Sequence, residues 1–306
     1  MIPTPLRVST MTVIGNLGAQ PDLKQLFDHG SFIPYWWIGE GIIKIEFGAL
    51  KKGICMEDIL HISTKTKKQF FNQSSLVFRL LLPNGSYKET NIKLFKNGGF
   101  QMTGISSEEM ARASISRLIA LNVDRGVWPR GPEDHGPYIK SFTTCMMNSD
   151  YAIGKAIRRD RLYKILVESY GLWSSFEPTV YQGVNTKFFW NKNRPAAAPP
   201  GICVCPTPCE GGGSGYGIGN CKKITISPFR TGSIIITGAQ QTEQLNDAYD
   251  FMNGVLRTHA ADILRDDVQT TIVSKRKPAI APTTAEGILR QRMRASPRNV
   301  VRLALV

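Results

Sequence analysis

The chain is 306 residues long, 42% hydrophobic and 20% charged. That composition excludes a disordered chain and suits one large domain or two small ones. Lysine and arginine outnumber acids 38 to 24, a net charge of +14, which makes nucleic acid the first partner to consider. No run approaches the roughly 18–20 apolar residues of a membrane span, and Met1 to Arg7 lacks the apolar stretch of a signal peptide. The expectation is an intracellular protein with no membrane partner.

In chain order, Val8 to Ile14 reads as a strand, with a short helix after it near Asp22-Leu23-Lys24. Residues 28–72 are longer than a connection requires and hold Tyr35-Trp36-Trp37 and Lys65-Thr66-Lys67-Lys68; they read as an insertion. Thr90 to Leu94 forms a strand, Phe95 to Gly99 a turn, and the chain returns through Phe100 to Thr103. Because strand side chains alternate, Phe100 and Met102 share one face while Gln101 and Thr103 share the other. A helix follows from Ser106, which has capping-box spacing to Glu109. Met110, Ile115, Leu118 and Ile119 form its apolar face.

The second half opens with a strand over Ser141 to Met147. Lys223 to Ile226, a turn at Phe229 to Gly232, and Ile234 to Ile236 make a further strand pair. A helix from Thr242 then carries Leu245, Ala248, Tyr249, Met252 and Leu256 at helical spacing. Residues 191–221 are rich in Pro, Gly and Cys and read as a loop insertion. Residues 274–306 form a tail with eight Lys or Arg and one Glu, about half of the excess charge, including Lys275-Arg276-Lys277 and a polar helical stretch from Ala285 to Arg294.

These elements repeat. Phe95 to Gly104 and Phe229 to Gly238 both read Phe, basic residue, x, Gly, four residues, Thr-Gly. Thr10 to Thr103 spans 93 residues and Thr143 to Thr237 spans 94. Each half runs strand, short helix, several strands, long helix. Antiparallel strands with helices segregated to one face make an α+β layer.

Cys203, Cys205, Cys209 and Cys221 place four thiols within 19 residues. Zn²⁺ takes four thiolates tetrahedrally and would order a loop too poor in apolar residues to fold alone. Disulfides, disfavoured inside cells, and unligated thiols are the other two states open to this cluster, so a structural zinc is an option and no cofactor is required. Gly215, Gly217 and Gly219 lack the strand and helix of a dinucleotide-binding turn. No P-loop, HExxH or GxSxG pattern occurs, and the four histidines are scattered. The expectation is a protein that is not an enzyme.

At this point the sequence resembles the TATA-box-binding protein family. Asn16-Leu17-Gly18 with Asp22-Leu23-Lys24 is similar to that family's first strand-to-helix motif. Thr103-Gly104 with Ser106 and Glu108 is similar to the end of its first sheet and the start of its long helix. Ser174-Ser175-Phe176-Glu177-Pro178 with Tyr181 and Gly183, and Ile236-Thr237-Gly238-Ala239, are similar to segments of the second repeat. The resemblance covers about 6–125 and 138–262, apart from the insertions at about 28–72 and 191–221. Its divergence resembles copies encoded by large DNA viruses. It implies an α+β fold: a pseudo-twofold saddle of two repeats, one curved antiparallel sheet with helices on the convex face. It also implies a general transcription factor that binds and bends A·T-rich promoter DNA, in the nucleus or at an intracellular site of viral transcription. The family is itself the reference case for minor-groove kinking by inserted apolar side chains.

Carried over residue by residue, the resemblance makes Phe95 and Phe229 wedges between base steps, with Tyr181 the second wedge of the second half. The first half's other wedge falls near Gln73, with Phe71 and Phe78 both close by. Thr10 and Thr143 align with paired asparagines at the saddle centre, and Thr12 and Cys145 with small apolar residues beside them. Gln101, Thr103, Ile235 and Thr237 line the concave face. An exposed Ile235 suits an A·T minor groove, which presents few polar groups. Arg79 and Lys187 match phosphate-contacting positions, whereas Gly99, Ser106, Ser233 and Gln240 stand where the family often has Lys. Glu177, with Thr179 and Val180, falls on the loop that meets a TFIIB-type factor, so that factor and RNA polymerase are the implied protein partners. The lost cations leave a second reading open, a saddle that serves as a protein-interaction platform with weak or no sequence-specific DNA binding.

Overall fold

The computed structural model describes residues 2–60, 71–129 and 136–265. The basic tail at 274–306 and Lys65 to Lys68 lie outside these residues. The first half contains β1 (Arg7–Asn16), α1 (Leu23–His29), β2 (Gly41–Phe47), β3 (Leu50–Gly53), α2 (Met56–Leu60), β4 (Gln73–Leu81), β5 (Tyr87–Phe95), β6 (Gly99–Ile105) and α3 (Glu108–Ala120). The second contains β7 (Ser141–Ala152), β8 (Ala156–Ile157), α4 (Arg159–Glu168), β9 (Ser174–Ser175), β10 (Asn185–Trp190), β11 (Lys222–Pro228), β12 (Ser233–Ala239) and α5 (Thr242–Thr258). α6 (Ala260–Ile263) and β13 (Leu264–Arg265) follow.

Eleven strands form one antiparallel sheet in the order β3-β2-β4-β5-β6-β1-β7-β12-β11-β10-β9. Outward from the β1–β7 seam, β6, β5, β4 and β2 on one side match β12, β11, β10 and β9 on the other. The fold is therefore α+β, a pseudo-twofold saddle with β3 as an extra edge strand.

Residues 28–72 are not wholly an insertion. β2 lies within them and pairs along β4 from Gly41↔Arg79 to Phe47↔Ser74, because Ile42 and Ile45 join the main core. Among the described residues, the added material is β3, α2 and the loop before β2.

The helices bury one face of the sheet. From α3, Ala111, Ile115 and Leu118 pack on Phe100 and Met102; from α5, Leu245, Ala248, Met252 and Leu256 pack on Ile234 and Ile236, all buried. Such side chains contribute about 1.5–3 kcal/mol each when fully buried. The α3 cap is displaced by one residue from the expected box: Ser107, not Ser106, is the N-cap and accepts the Met110 amide.

The two Phe turns repeat in detail. Gly98 N–H donates to Phe95 O at 3.0 Å and Gly232 N–H to Phe229 O at 3.0 Å. Leu17 N–H then donates to Gly98 O and Ile153 N–H to Gly232 O. Both glycines have positive φ, 79° and 82°, and a Cβ would lie 2.2 Å from Ala19 O or 2.1 Å from Lys155 O. Only glycine meets both demands.

Candidate nucleic-acid interface

The seam sets the register of the open face. Met11 lies opposite Met147, Thr10 opposite Asn148 and Thr12 opposite Met146. Exchanging the strands therefore carries Thr10 onto Met146 and Thr12 onto Asn148. Arg7 opposite Asp150 and Ile14 opposite Thr143 likewise make Thr143 the mate of Arg7. This corrects the sequence alignment of Thr10 with Thr143 by three residues. The bulges at Ser9 and Cys145 are dyad mates under this register, each a residue with no cross-strand partner.

Met11, Val13, Met147, Ser149 and Tyr151 are buried beneath the helices, while Thr10, Thr12, Ile14, Met146, Asn148 and Asp150 face the other way. Asn148 Nδ2 donates to Thr10 Oγ1 at 3.2 Å, and Ser9 Oγ donates to Asn148 O at 3.0 Å. Asp150 is held by a bidentate pair with Arg7, both bonds to the same guanidinium nitrogen being 2.8 Å, so its charge is balanced across the seam. Cys145 sits half-buried in the bulge.

Beside the seam, Gln101 and Thr103 of β6 and Ile235 and Thr237 of β12 are half-buried on this open face. Lys93 lies opposite Gln101, and Lys187 and Thr237 both lie opposite Thr225. Lys187 Nζ donates to Thr225 Oγ1 at 2.9 Å. Burial first, and then the neighbouring Lys223 charge, lower the Lys187 pKa, the signature of a cation without an acidic partner.

Aromatic rings stand at both ends of this face. Tyr181 and Phe229 meet edge to face, with centroids 5.7 Å apart. In the second half Thr186 lies opposite Ile226; in the first, Leu76 lies opposite Ile92. Tyr181 is five residues before Thr186 and Phe71 is five residues before Leu76, so Phe71 is the counterpart of Tyr181. Phe71 is 60% exposed, whereas Phe78 is 0% exposed in the main core. Counting back from these paired strands finds the residue that the sequence alone left unplaced.

The outer first half is different. Ile43, Cys55 and Val77, with Ile33 and Tyr35, form a second small apolar cluster on the side away from the main core. Lys44 Nζ bonds Asp58 Oδ1 at 2.8 Å, and Asp58 also accepts the Cys55 amide at 3.0 Å. Burial opposes the Asp58 charge, but these bonds outweigh it and hold its pKa well below the usual carboxylate range. β3 and α2 thus cap part of the underside. A cleft of about 600 Å³ runs from this cap to Lys93, Gln101 and Thr103.

Arg79 lies within the capped zone and is buried. Its guanidinium pairs with Glu89 at 3.2 Å, donates to Trp37 O at 2.9 Å and stands 4.9 Å from the Tyr35 ring centroid. Burial first, and Glu89 next, push Tyr35 up to about 12. Arg79 is a structural cation and not the accessible phosphate contact the sequence suggested. Lys93, Lys187 and Lys223 are open-face cations outside the Arg7–Asp150 pair and the capped zone.

Glu177, Thr179 and Val180 lie on the exposed loop between β9 and β10, with Val180 86% exposed. Amides of Val180 and Tyr181 both donate to Glu177 O, at 2.9 and 2.8 Å. The same turn presents the loop and aims Tyr181 at Phe229.

At the far edge, the sulfurs of Cys203, Cys205, Cys209 and Cys221 lie within 4.8 Å of one another. Burial raises Cys203, but hydrogen bonds from Cys209 and Cys205 outweigh it and hold its pKa down to about 6. Burial pushes Cys221 up.

A relative described as "TATA-box-binding protein-like", from Acanthamoeba polyphaga mimivirus, is 27% identical across 88% of this chain and 69% of its own length. The chain is thus similar in sequence, along most of its length, to a TATA-box-binding-protein-like protein. The Methanococcus jannaschii TBP structure aligns with 83% of this chain and 99% of its own at 16% identity and a TM-score of 0.47. No family model matches. The cap over the first half and the cysteine loop at the second are where the two halves of the sheet depart from each other.

Proposed function

We propose that the chain binds and bends double-stranded, A·T-rich promoter DNA through the minor groove and so nucleates transcription initiation. The carrying observation is the matched pair of aromatic ends, Phe71 with Phe95 and Tyr181 with Phe229, flanking an open face of small or apolar groups. Thr10, Thr12, Ile14, Met146, Ile235 and Thr237 suit an edge that lacks the guanine amino group. Rings at the two ends replace part of the stacking lost when a base step opens, which costs a few kcal/mol per step. Cys145, half-buried in its bulge, borders this surface.

Phosphate contacts fall to Lys93, Lys187 and Lys223. With Arg79 engaged internally, two of these three cations lie on the second half, so the duplex is gripped more strongly there. Glu177, Thr179 and Val180 would then meet a TFIIB-like factor, with RNA polymerase recruited to the bent complex, in the nucleus or at an intracellular site of viral transcription. The test is titration against A·T-rich and G·C-rich duplexes at two salt concentrations. The proposal expects A·T preference and a shallow log–log salt slope of about −3. Equal binding to both duplexes, or no binding, rejects it.

One observation favours the interaction-platform reading. The cap narrows the first half's underside, and Trp36, Trp37 and Ile38 beside it are all more than 60% exposed. An apolar cluster of that kind marks protein contact sites. Undetectable binding to any duplex, together with retained capture of an initiation factor, would select this reading.

A further inference from the structure

We infer that Cys203, Cys205, Cys209 and Cys221 form a closed tetrahedral zinc site that staples the 191–221 loop to the root of β11. Four sulfurs at Zn–S distances of about 2.3 Å stand about 3.8 Å apart along the edges of a tetrahedron. The Cys203–Cys209, Cys205–Cys221 and Cys203–Cys221 separations are 3.4, 3.6 and 3.8 Å. Cys221 thus neighbours two partners, an arrangement that a set of four ligands requires and two isolated disulfides do not.

The surrounding donors point the same way. Gly219 N–H donates to Cys205 Sγ at 3.1 Å and Asn191 Nδ2 to Cys221 Sγ at 3.4 Å. Donors aimed at sulfur stabilise thiolates and orient them as ligands. Binding releases one proton from each thiol, so a Zn²⁺ with four thiolates carries net charge −2.

The loop needs such a staple because its two ends are anchored unequally. Its distal part is tied to α5: Gln244 Nε2 donates to Ser214 O at 3.0 Å and Tyr216 OH to Gln241 Oε1 at 2.6 Å. Trp190, at the end of β10, donates to Asp247 of α5 at 2.6 Å. The segment from Cys203 to Cys209 is half-buried or exposed throughout, and its cysteines join it to Cys221, the residue preceding β11. A metal there fixes the edge beside β10, where the β9 pairing stops at Asn185 and Thr186. It is independent of whether the open face binds DNA.

The test uses the full chain purified under reducing conditions without chelator. Elemental analysis should give one zinc per chain, released by an organomercurial thiol reagent as it titrates the cluster. The C203S/C209S variant should lose the zinc, while C55S/C145S should keep it. Should C203S/C209S fail to fold, Co²⁺ substitution of the wild type gives a second readout: intense thiolate charge-transfer and tetrahedral d–d absorption. Chelator-treated protein should be cleaved by protease within the loop before the saddle core. A wild-type chain that holds no stoichiometric zinc after refolding with added Zn²⁺ overturns the inference, whether its four thiols titrate freely or its mass shows them oxidised as two disulfides. Stoichiometric iron in place of zinc overturns it as well.

Discussion

Tyr181 and Phe229 meet with ring planes 67° apart, and the β4–β5 register repeats their placement for Phe71 and Phe95 at the opposite end of the sheet. Edge-to-face pairs contribute about 0.5–1.5 kcal/mol beyond area burial. The rings are thus held near a fixed orientation before anything is bound, and both pairs border the same open face.

Phe71→Ala should leave the fold almost unchanged, because the ring is mostly exposed, with a melting shift equivalent to less than about 0.5 kcal/mol. Phe78→Ala should cost about 3–5 kcal/mol because it empties a fully buried site. Denaturant melts of the two variants check the assignment of Phe71 as the end ring. Equal destabilisation would contradict it.

Arg79→Ala and Lys223→Ala should separate a structural cation from a contacting one. Removing Arg79 leaves Glu89 without its cation in the capped zone and should cost about 2–3 kcal/mol, below the fully buried case because Glu89 retains some solvent. Lys223→Ala should leave stability within about 0.5 kcal/mol and flatten the DNA salt slope by about one. Melting curves and salt titrations of both variants read the contrast.

The cap should loosen in acid. Asp58 has a folded pKa below its unfolded value, so its contribution is present above the unfolded value of about 3.9 and is lost as pH falls through the lower folded value. Lys44 is raised by its bond to Asp58 despite opposing burial; its contribution is present at neutral pH and lost only above its unfolded value of about 10.4. The melting-temperature gap between wild type and Asp58→Asn should stay constant from neutral pH to about pH 5 and close below about pH 4. A gap that persists undiminished at low pH contradicts the ion-pair account.

Gly98→Ala and Gly232→Ala should each destabilise by about 1–3 kcal/mol, through positive φ and the close carbonyl. Similar losses at both positions, measured by chemical denaturation, are expected of turns built alike. A neutral effect at either would show that the turn relaxes.

Local periodicity made much of this architecture legible. The paired Phe turns, the burial of Phe100, Met102, Ile234 and Ile236, and the α5 stripe follow from alternation and helical spacing alone. The seam did not, because the Thr shared by Val8 to Ile14 and Ser141 to Met147 aligns the two strands three residues out of the dyad register. A signal was nonetheless present: Leu17-Gly18 and Ile153-Gly154 follow β1 and β7 alike, with glycine φ of 67° and 68°, and aligning them places Met146 opposite Thr10 in the dyad. Arg79 was misread because its fate depends on Tyr35, Trp37 and Glu89, which come together only through β2 and its preceding loop. β2 is not legible within the long 28–72 segment because Ile42, Ile43 and Ile45 form a near-continuous apolar run. Its two faces meet different cores, so alternation is lost.

The most direct test of the concave-face account is a fluorescence bend measurement, with donor and acceptor at the ends of an A·T-rich duplex and saturating protein. The account predicts a shortened end-to-end distance for the wild type, restored towards the free-duplex value in Phe95→Ala/Phe229→Ala while the variant remains folded. An unchanged distance with the wild type bound, or full bending by the double variant, would contradict it.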